Sequence, residues 1–164
     1  MQFEKNIIAL QELSKTNPNI NVLKEYKGFG GLRDGFYNKQ LYGSLMSAIR
    51  ANVGRENQFK VLNSLKNSVK SAYYTPPALI KFMYQYLMVV CGFKGGAILE
   101  PACGNGAFFE NMPDELLKNS DVTGIEYDLL TAKMAQKIYP KIKVIMRIRD
   151  KQFIKNSINY NALN

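Results

Sequence analysis

Two glycines and two glutamates at a fixed spacing are the residues of this chain best suited to bind a small molecule. The apolar run Ala97 to Leu99 leads into Glu100, and a turn containing Gly104 and Gly106 follows. A turn that packs its backbone against a ligand has no room for Cβ atoms and often needs positive φ. A second strand-like stretch, 122–126, ends in another acid, at the place where a ribose presents its hydroxyl groups. The pattern predicts a nucleotide-type pocket.

Position 109 argues against a dinucleotide as the ligand of this pocket. Dinucleotide-binding turns carry a third small residue there, so that the helix can pack closely against the strand. The residue in this chain is Phe109, and no Lys-Ser or Lys-Thr pair follows the turn as in a phosphate-binding loop. The ligand class therefore has to be inferred from the residues around the glycines.

The string from Glu100 to Phe109, E-P-A-C-G-N-G-A-F-F, resembles motif I of S-adenosylmethionine-dependent methyltransferases, in particular of N6-adenine DNA methyltransferases. Tyr-Thr-Pro at 74–76 resembles motif X of that family. Residues 26–32, Y-K-G-F-G-G-L, resemble a segment upstream of the methylase domain in large methyltransferase-helicase proteins of bacterial mobile elements. The resemblance covers residues 23–140 and implies S-adenosylmethionine as the cofactor.

The resemblance also implies which residues hold the cofactor. The helix that opens after Tyr74 and Thr75 would face the methionine carboxylate, Glu100 would reach the amino group, Glu126 would accept the ribose hydroxyls, and Tyr127 would lie against adenine. The turn completes this set with Pro101, Ala102, Gly104, Asn105 and Gly106. Simpler alternatives remain open, because the glutamates could cap loops or pair with a lysine, and Tyr127 could be ordinary packing.

No catalytic residue is predicted. The family holds the adenine amine with an Asn/Asp-Pro-Pro-aromatic loop, whereas Pro76-Pro77 lies between Thr75 and Ala78. Histidine is absent and the two cysteines are too few for a zinc site. We expect a DNA adenine-N6 methyltransferase that is truncated before its catalytic loop and inactive alone. The competing hypothesis is a non-catalytic nucleic-acid-binding or assembly module that retains the fold.

Hydrophobic periodicity predicts an α/β fold, with a partial Rossmann-like sheet preceded by an N-terminal helical region. The expected units are a helical region at 1–72, the cofactor-binding part at 73–149 and a tail without regular structure at 150–164. Thr75 is the expected N-cap of a helix that continues to Val90. The glycines of 23–32 predict a connector, and Cys91 is expected in the core. The predicted strands lie at 97–100, 122–126 and 143–148. The remaining predicted helices lie at 3–15, 41–49, 59–69, 114–118 and 129–139.

The charge distribution indicates a basic protein with basic ends. The net charge is +9, and residues 1–72 hold 11 Lys and Arg against 5 Asp and Glu, while 141–164 hold 6 against 1. Such flanks fit contact with a DNA backbone, or are simply a solvated surface. The absence of a signal peptide or membrane segment predicts a cytoplasmic protein. A sheet of only three strands would leave one edge unpaired, which predicts self-association.

Overall fold

The structure, a computed structural model, describes residues 2–69 and 74–146. Four helices form the N-terminal region: α1 (Gln2–Leu13), α2 (Ile20–Lys24), α3 (Gly28–Tyr37) and α4 (Lys39–Val69). Gly54 has φ 75° and ψ 173°, so α4 consists of two helices joined at a kink, as the two separate periodic segments predict. The predicted tail at 150–164 lies outside the described residues.

The second part alternates helices and strands. Helix α5 (Pro77–Gln85) continues into a π-helical turn (Tyr86–Val90). After it come β1 (Gly96–Glu100), α6 (Ala107–Glu110), α7 (Asp114–Lys118), β2 (Ser120–Glu126), α8 (Leu129–Ile138) and β3 (Lys143–Met146).

The three strands form a parallel sheet in the order β1-β2-β3. Leu99 lies beside Thr123 and Thr123 lies beside Lys143, so the carboxyl ends of all three strands meet at one edge. The predicted α/β class with an N-terminal helical region is confirmed. Parallel strands need a crossover between them, and α8 supplies the one between β2 and β3.

Helix α8 joins the sheet to the N-terminal helices. Leu130 and Met134 are fully buried in the core that the N-terminal helices form, while Ala132 and Ala135 are buried in a second core under the sheet. Because a helix buried on both sides is held by both layers, the N-terminal helices and the sheet pack as neighbouring layers around α8.

Three expectations from the sequence are wrong. The glycines at 28, 30 and 31 lie in α3 rather than in a connector, since α3 packs tightly on α1: a Cβ at Gly35 would lie 3.2 Å from Phe3 Cζ. Thr75 is not the N-cap. The cap is Pro76, which has extended φ and ψ because it precedes Pro77, and the helix begins one residue later. Cys91 is exposed at the helix end, after a π-helical turn with no buried residue.

The outer edge of β1 pairs with no strand among residues 2–69 and 74–146. Leu99 on this strand is 59% exposed. Helix α5 and the turn after it carry further exposed apolar side chains, namely Leu79, Phe82, Met83, Tyr86, Leu87, Val89 and Val90. Among the described residues, no helix has the length and the apolar character that crossing a membrane requires.

Candidate cofactor site

The glycine turn and the carboxylate of Glu126 meet at the carboxyl edge of β1 and β2. The Gly104 N–H donates to Glu126 Oε2 at 2.9 Å, and the Cys103 N–H donates to the Ile125 carbonyl at 2.9 Å. Gly104 and Gly106 have φ of 57° and 100°, which side-chain-bearing residues rarely adopt. The spacing of these residues in the sequence therefore corresponds to a real corner in the fold.

Glu126 caps this corner with both carboxylate oxygens. Its Oε1 accepts hydrogen bonds from the N–H groups of Tyr127 at 2.7 Å and Asp128 at 2.8 Å, in addition to the bond from Gly104 to Oε2. A carboxylate has about four acceptor positions, so one on Oε2 remains for a ligand hydroxyl. Glu126 therefore caps the loop, as the simpler alternative predicts. The same hydrogen bonds fix the orientation of its carboxylate.

Other predicted residues surround this corner. Glu100 Oε1 accepts from the Ala102 N–H at 3.1 Å, and both Ala102 and Pro101 are exposed. The ring of Tyr127 is 44% exposed, which leaves it open to a stacking partner. Glu126 thus offers a free acceptor position, Tyr127 offers an exposed aromatic ring, and Gly104 and Gly106 bear no Cβ.

Tyr74 forms a wall of the corner. A Cβ added at Gly104 would lie 3.3 Å from Tyr74 Cε1, so the aromatic ring packs directly on the glycine turn. Burial, and then the charges of Glu126 and Asp128, raise the pKa of the Tyr74 hydroxyl, while a hydrogen bond from the Gly28 backbone opposes that shift. Thr75 follows directly and is half-buried.

Asn105 connects the glycine turn to the N-terminal region. Its buried side-chain amide donates to the Tyr26 carbonyl at 2.9 Å. The segment after Tyr26 is tied to α1, because the Lys27 N–H donates to Asn6 Oδ1 at 2.8 Å. The Asn105 amide is thus engaged within the fold.

Two buried groups at the site were not singled out from the sequence. Tyr26 and Asp128 are 0% and 1% exposed, and Tyr26 Oη and Asp128 Oδ2 have no hydrogen-bond partner. Asp128 is the N-cap of α8, and its Oδ1 accepts from the backbone and hydroxyl of Thr131. The signals were present, since Tyr26 begins the glycine-containing string and Asp128 precedes an amphipathic helix.

Burial controls the protonation of this region. It raises the pKa of Asp128 to about 6, although hydrogen bonds from Thr131 partly oppose the shift. Burial, followed by the charges of Glu126 and Glu100, raises the pKa of the Cys103 thiol to about 12. Cys103 is therefore a protonated thiol at neutral pH, which is the opposite of an activated nucleophile.

No family profile and no curated protein sequence matches the chain. One solved structure that it resembles, from Listeria monocytogenes, is described as a "putative class I S-adenosylmethionine-dependent methyltransferase". The two chains are 18% identical, with a TM-score of 0.35, and the alignment covers 90% of this chain and 52% of that one. This chain thus spans about half the length of that structure.

Proposed function

We propose that this chain is the cofactor-binding part of an S-adenosylmethionine-dependent methyltransferase that acts on adenine N6 in DNA. One observation carries the proposal: the glycine turn and Glu126 are joined by a hydrogen bond from Gly104 at the carboxyl edge of two parallel strands. Ligands of open parallel α/β sheets bind at this edge. The motif I and motif X resemblances support S-adenosylmethionine, rather than another nucleoside, as the cofactor. They also support adenine in DNA as the substrate.

The residues have separate roles in this proposal. Glu126 would accept a ribose hydroxyl at its free acceptor position, and the Tyr127 ring would stack on adenine. The N-terminus of α5 would face the methionine carboxylate, because helix N-termini favour negative charge. The cofactor would supply the methyl group on its sulfonium. Among the described residues we assign no group to the transfer itself, so the role of this chain is to bind and orient the cofactor.

Calorimetric titration with S-adenosylhomocysteine tests the proposal, with NAD⁺ as the comparison ligand. We expect the demethylated cofactor to bind weakly and NAD⁺ to give no measurable heat. Phe109 is the reason for the difference, because it is buried where a dinucleotide-binding helix would carry a small residue. Equal binding of both ligands would contradict the choice of cofactor.

A second candidate function, an assembly module that retains the fold, is favoured by the exposed apolar side chains of α5 and the following turn and by the free edge of β1. Seven large apolar side chains are exposed on α5 and the following turn. Contiguous exposed apolar patches commonly mark interaction sites. The two functions are compatible, since the cofactor corner and this surface lie on different residues.

We predict that the chain self-associates through the β1 edge, because unpaired strands recruit partners. Analytical ultracentrifugation over a concentration series should show a rising average mass for the wild type. Leu99→Lys should shift the protein toward the monomer. Phe59→Lys is the matched control, since Phe59 lies on α4 and is 60% exposed against 59% for Leu99. A monomer at every concentration, or equal effects of the two variants, would rule out this edge.

A further inference from the structure

A cleft of about 880 Å³ runs between the N-terminal helices and the sheet. Its walls come from the end of α1, the α4 kink region, α8 and β3. Its lining includes Leu129, three residues after Glu126, and Met146, the last residue of β3. The cleft therefore starts near the carboxyl edge of the sheet and continues along α8.

The charged residues that line this cleft are all lysines, and we call it the lysine cleft. They are Lys15, Lys133, Lys137 and Lys143. Lys15 is neutralised by Glu12, whose Oε2 lies 2.6 Å from its Nζ. None of the carboxylates in the described part of the chain lines the cleft, so the other three ammonium groups make it strongly positive.

Lys133 is the least ordinary of these lysines. It is half-buried, and its Nζ donates to the Asn52 carbonyl at 3.4 Å rather than to a carboxylate. Burial lowers the pKa of its ammonium group. A desolvated cation without a counter-charge is unfavourable, and proteins normally pair such groups. The Lys133 ammonium group at the apolar wall of the cleft therefore lacks a counter-anion among the described residues.

We propose that the lysine cleft binds phosphate groups of a nucleic-acid strand, with one phosphate against Lys133 and neighbouring phosphates against Lys137 and Lys143. The cleft is not an enclosed cavity, which suits a chain of phosphates better than a single enclosed anion. This inference rests on the nucleic-acid partner of the proposed function and is independent of the cofactor.

The test compares two triple variants that change the net charge equally. The first is Lys133→Gln with Lys137→Gln and Lys143→Gln. The second replaces Lys81, Lys94 and Lys118, which are all exposed and lie outside the cleft, by glutamine. Fluorescence anisotropy with a labelled duplex, without cofactor and between about 50 and 200 mM salt, gives the salt dependence of the affinity.

We expect the cleft variant to reduce the slope of log K against log salt by about 2.7, at about 0.9 for each phosphate that is no longer neutralised, and the control to keep the wild-type slope. Equal reductions in both variants, or no binding by the wild type near 50 mM salt, would overturn the proposal. So would a cleft variant that no longer binds inorganic pyrophosphate while its DNA affinity is unchanged, because the site would then take small phosphates.

Two further measurements distinguish a loss of DNA affinity from a folding defect and from a loss of cofactor binding. The double variant Lys137→Gln with Lys143→Gln leaves the half-buried Lys133 in place, and it should reduce the slope by about 1.8. The triple cleft variant should also bind S-adenosylhomocysteine as the wild type does, since no cleft lysine touches the cofactor corner. If neither the wild type nor the triple cleft variant binds the cofactor, the proposed cofactor is contradicted. The salt dependence of DNA binding then still tests the lysine cleft.

Discussion

Replacing Asp128 with asparagine should raise the free energy of unfolding at pH 8 by about 3 kcal/mol. The side chain is fully buried, one of its oxygens has no partner, and burial raises its pKa from 3.8 to about 6. Asparagine is an equally good N-cap. It also places an N–H donor in a region where the Tyr26 hydroxyl has no partner.

The pH dependence identifies the cause of this effect. Because the pKa is higher in the folded state, the contribution of Asp128 is most favourable below about pH 4 and is lost as the pH rises through 6. The advantage of Asp128→Asn should therefore be large at pH 8 and small at pH 4. Urea denaturation at both pH values measures it. Asp121→Asn, at an exposed position on β2, controls for the loss of one negative charge. A pH-independent difference for Asp128→Asn would contradict the account.

Replacing Gly106 with alanine should destabilise the protein by about 2 to 5 kcal/mol. Gly106 has φ 100°, which is strained for alanine. Its added Cβ would clash with the Tyr139 ring, lying 2.7 Å from Cδ2, and would lie 3.1 Å from Phe109 Cδ2. Those two rings pack edge to face with centroids 5.5 Å apart, so neither ring can move without disturbing the other.

Gly43→Ala is the matched control for this substitution. Gly43 lies in α4, and no atom lies within 4 Å of the Cβ it would gain. Alanine should stabilise the protein there by about 0.5 to 1 kcal/mol, because it restricts the unfolded chain and favours the helix. Chemical denaturation of both variants should give changes of opposite sign. A Gly106→Ala variant within about 0.5 kcal/mol of the wild type would show that the turn can relax.

The strands and the glycine corner could be predicted because local signals and tertiary packing agree there. Strand β2 ends at Glu126 as predicted, and positive φ at Gly104 and Gly106 is what the turn residues indicate. Strand β3 begins at Lys143 as predicted and is described as far as Met146. The apolar run 97–99 predicts the strand, and the turn that contains Gly104 and Gly106 predicts where the strand ends.

The sequence is least informative where tertiary packing overrides local preference. The glycines of α3 predict a connector by propensity, but contact with α1 leaves no room for larger side chains at Gly35. The partnership of Asn105 with Tyr26 joins residues 79 positions apart, and no local pattern contains that information. The burial of Asp128 likewise depends on the N-terminal helices that cover α8.

Binding of S-adenosylhomocysteine by the wild type and by Glu126→Ala, measured by calorimetry, tests the central claim most directly. Glu115→Ala, an exposed position on α7, controls for the loss of a carboxylate. We expect weak binding to the wild type and to Glu115→Ala. Glu126→Ala should bind at least about tenfold more weakly, since one charge-assisted hydrogen bond contributes about 1.5 to 3 kcal/mol. Equal affinity of the wild type and a folded Glu126→Ala, or no binding to the wild type at all, would contradict the claim that this corner holds the cofactor.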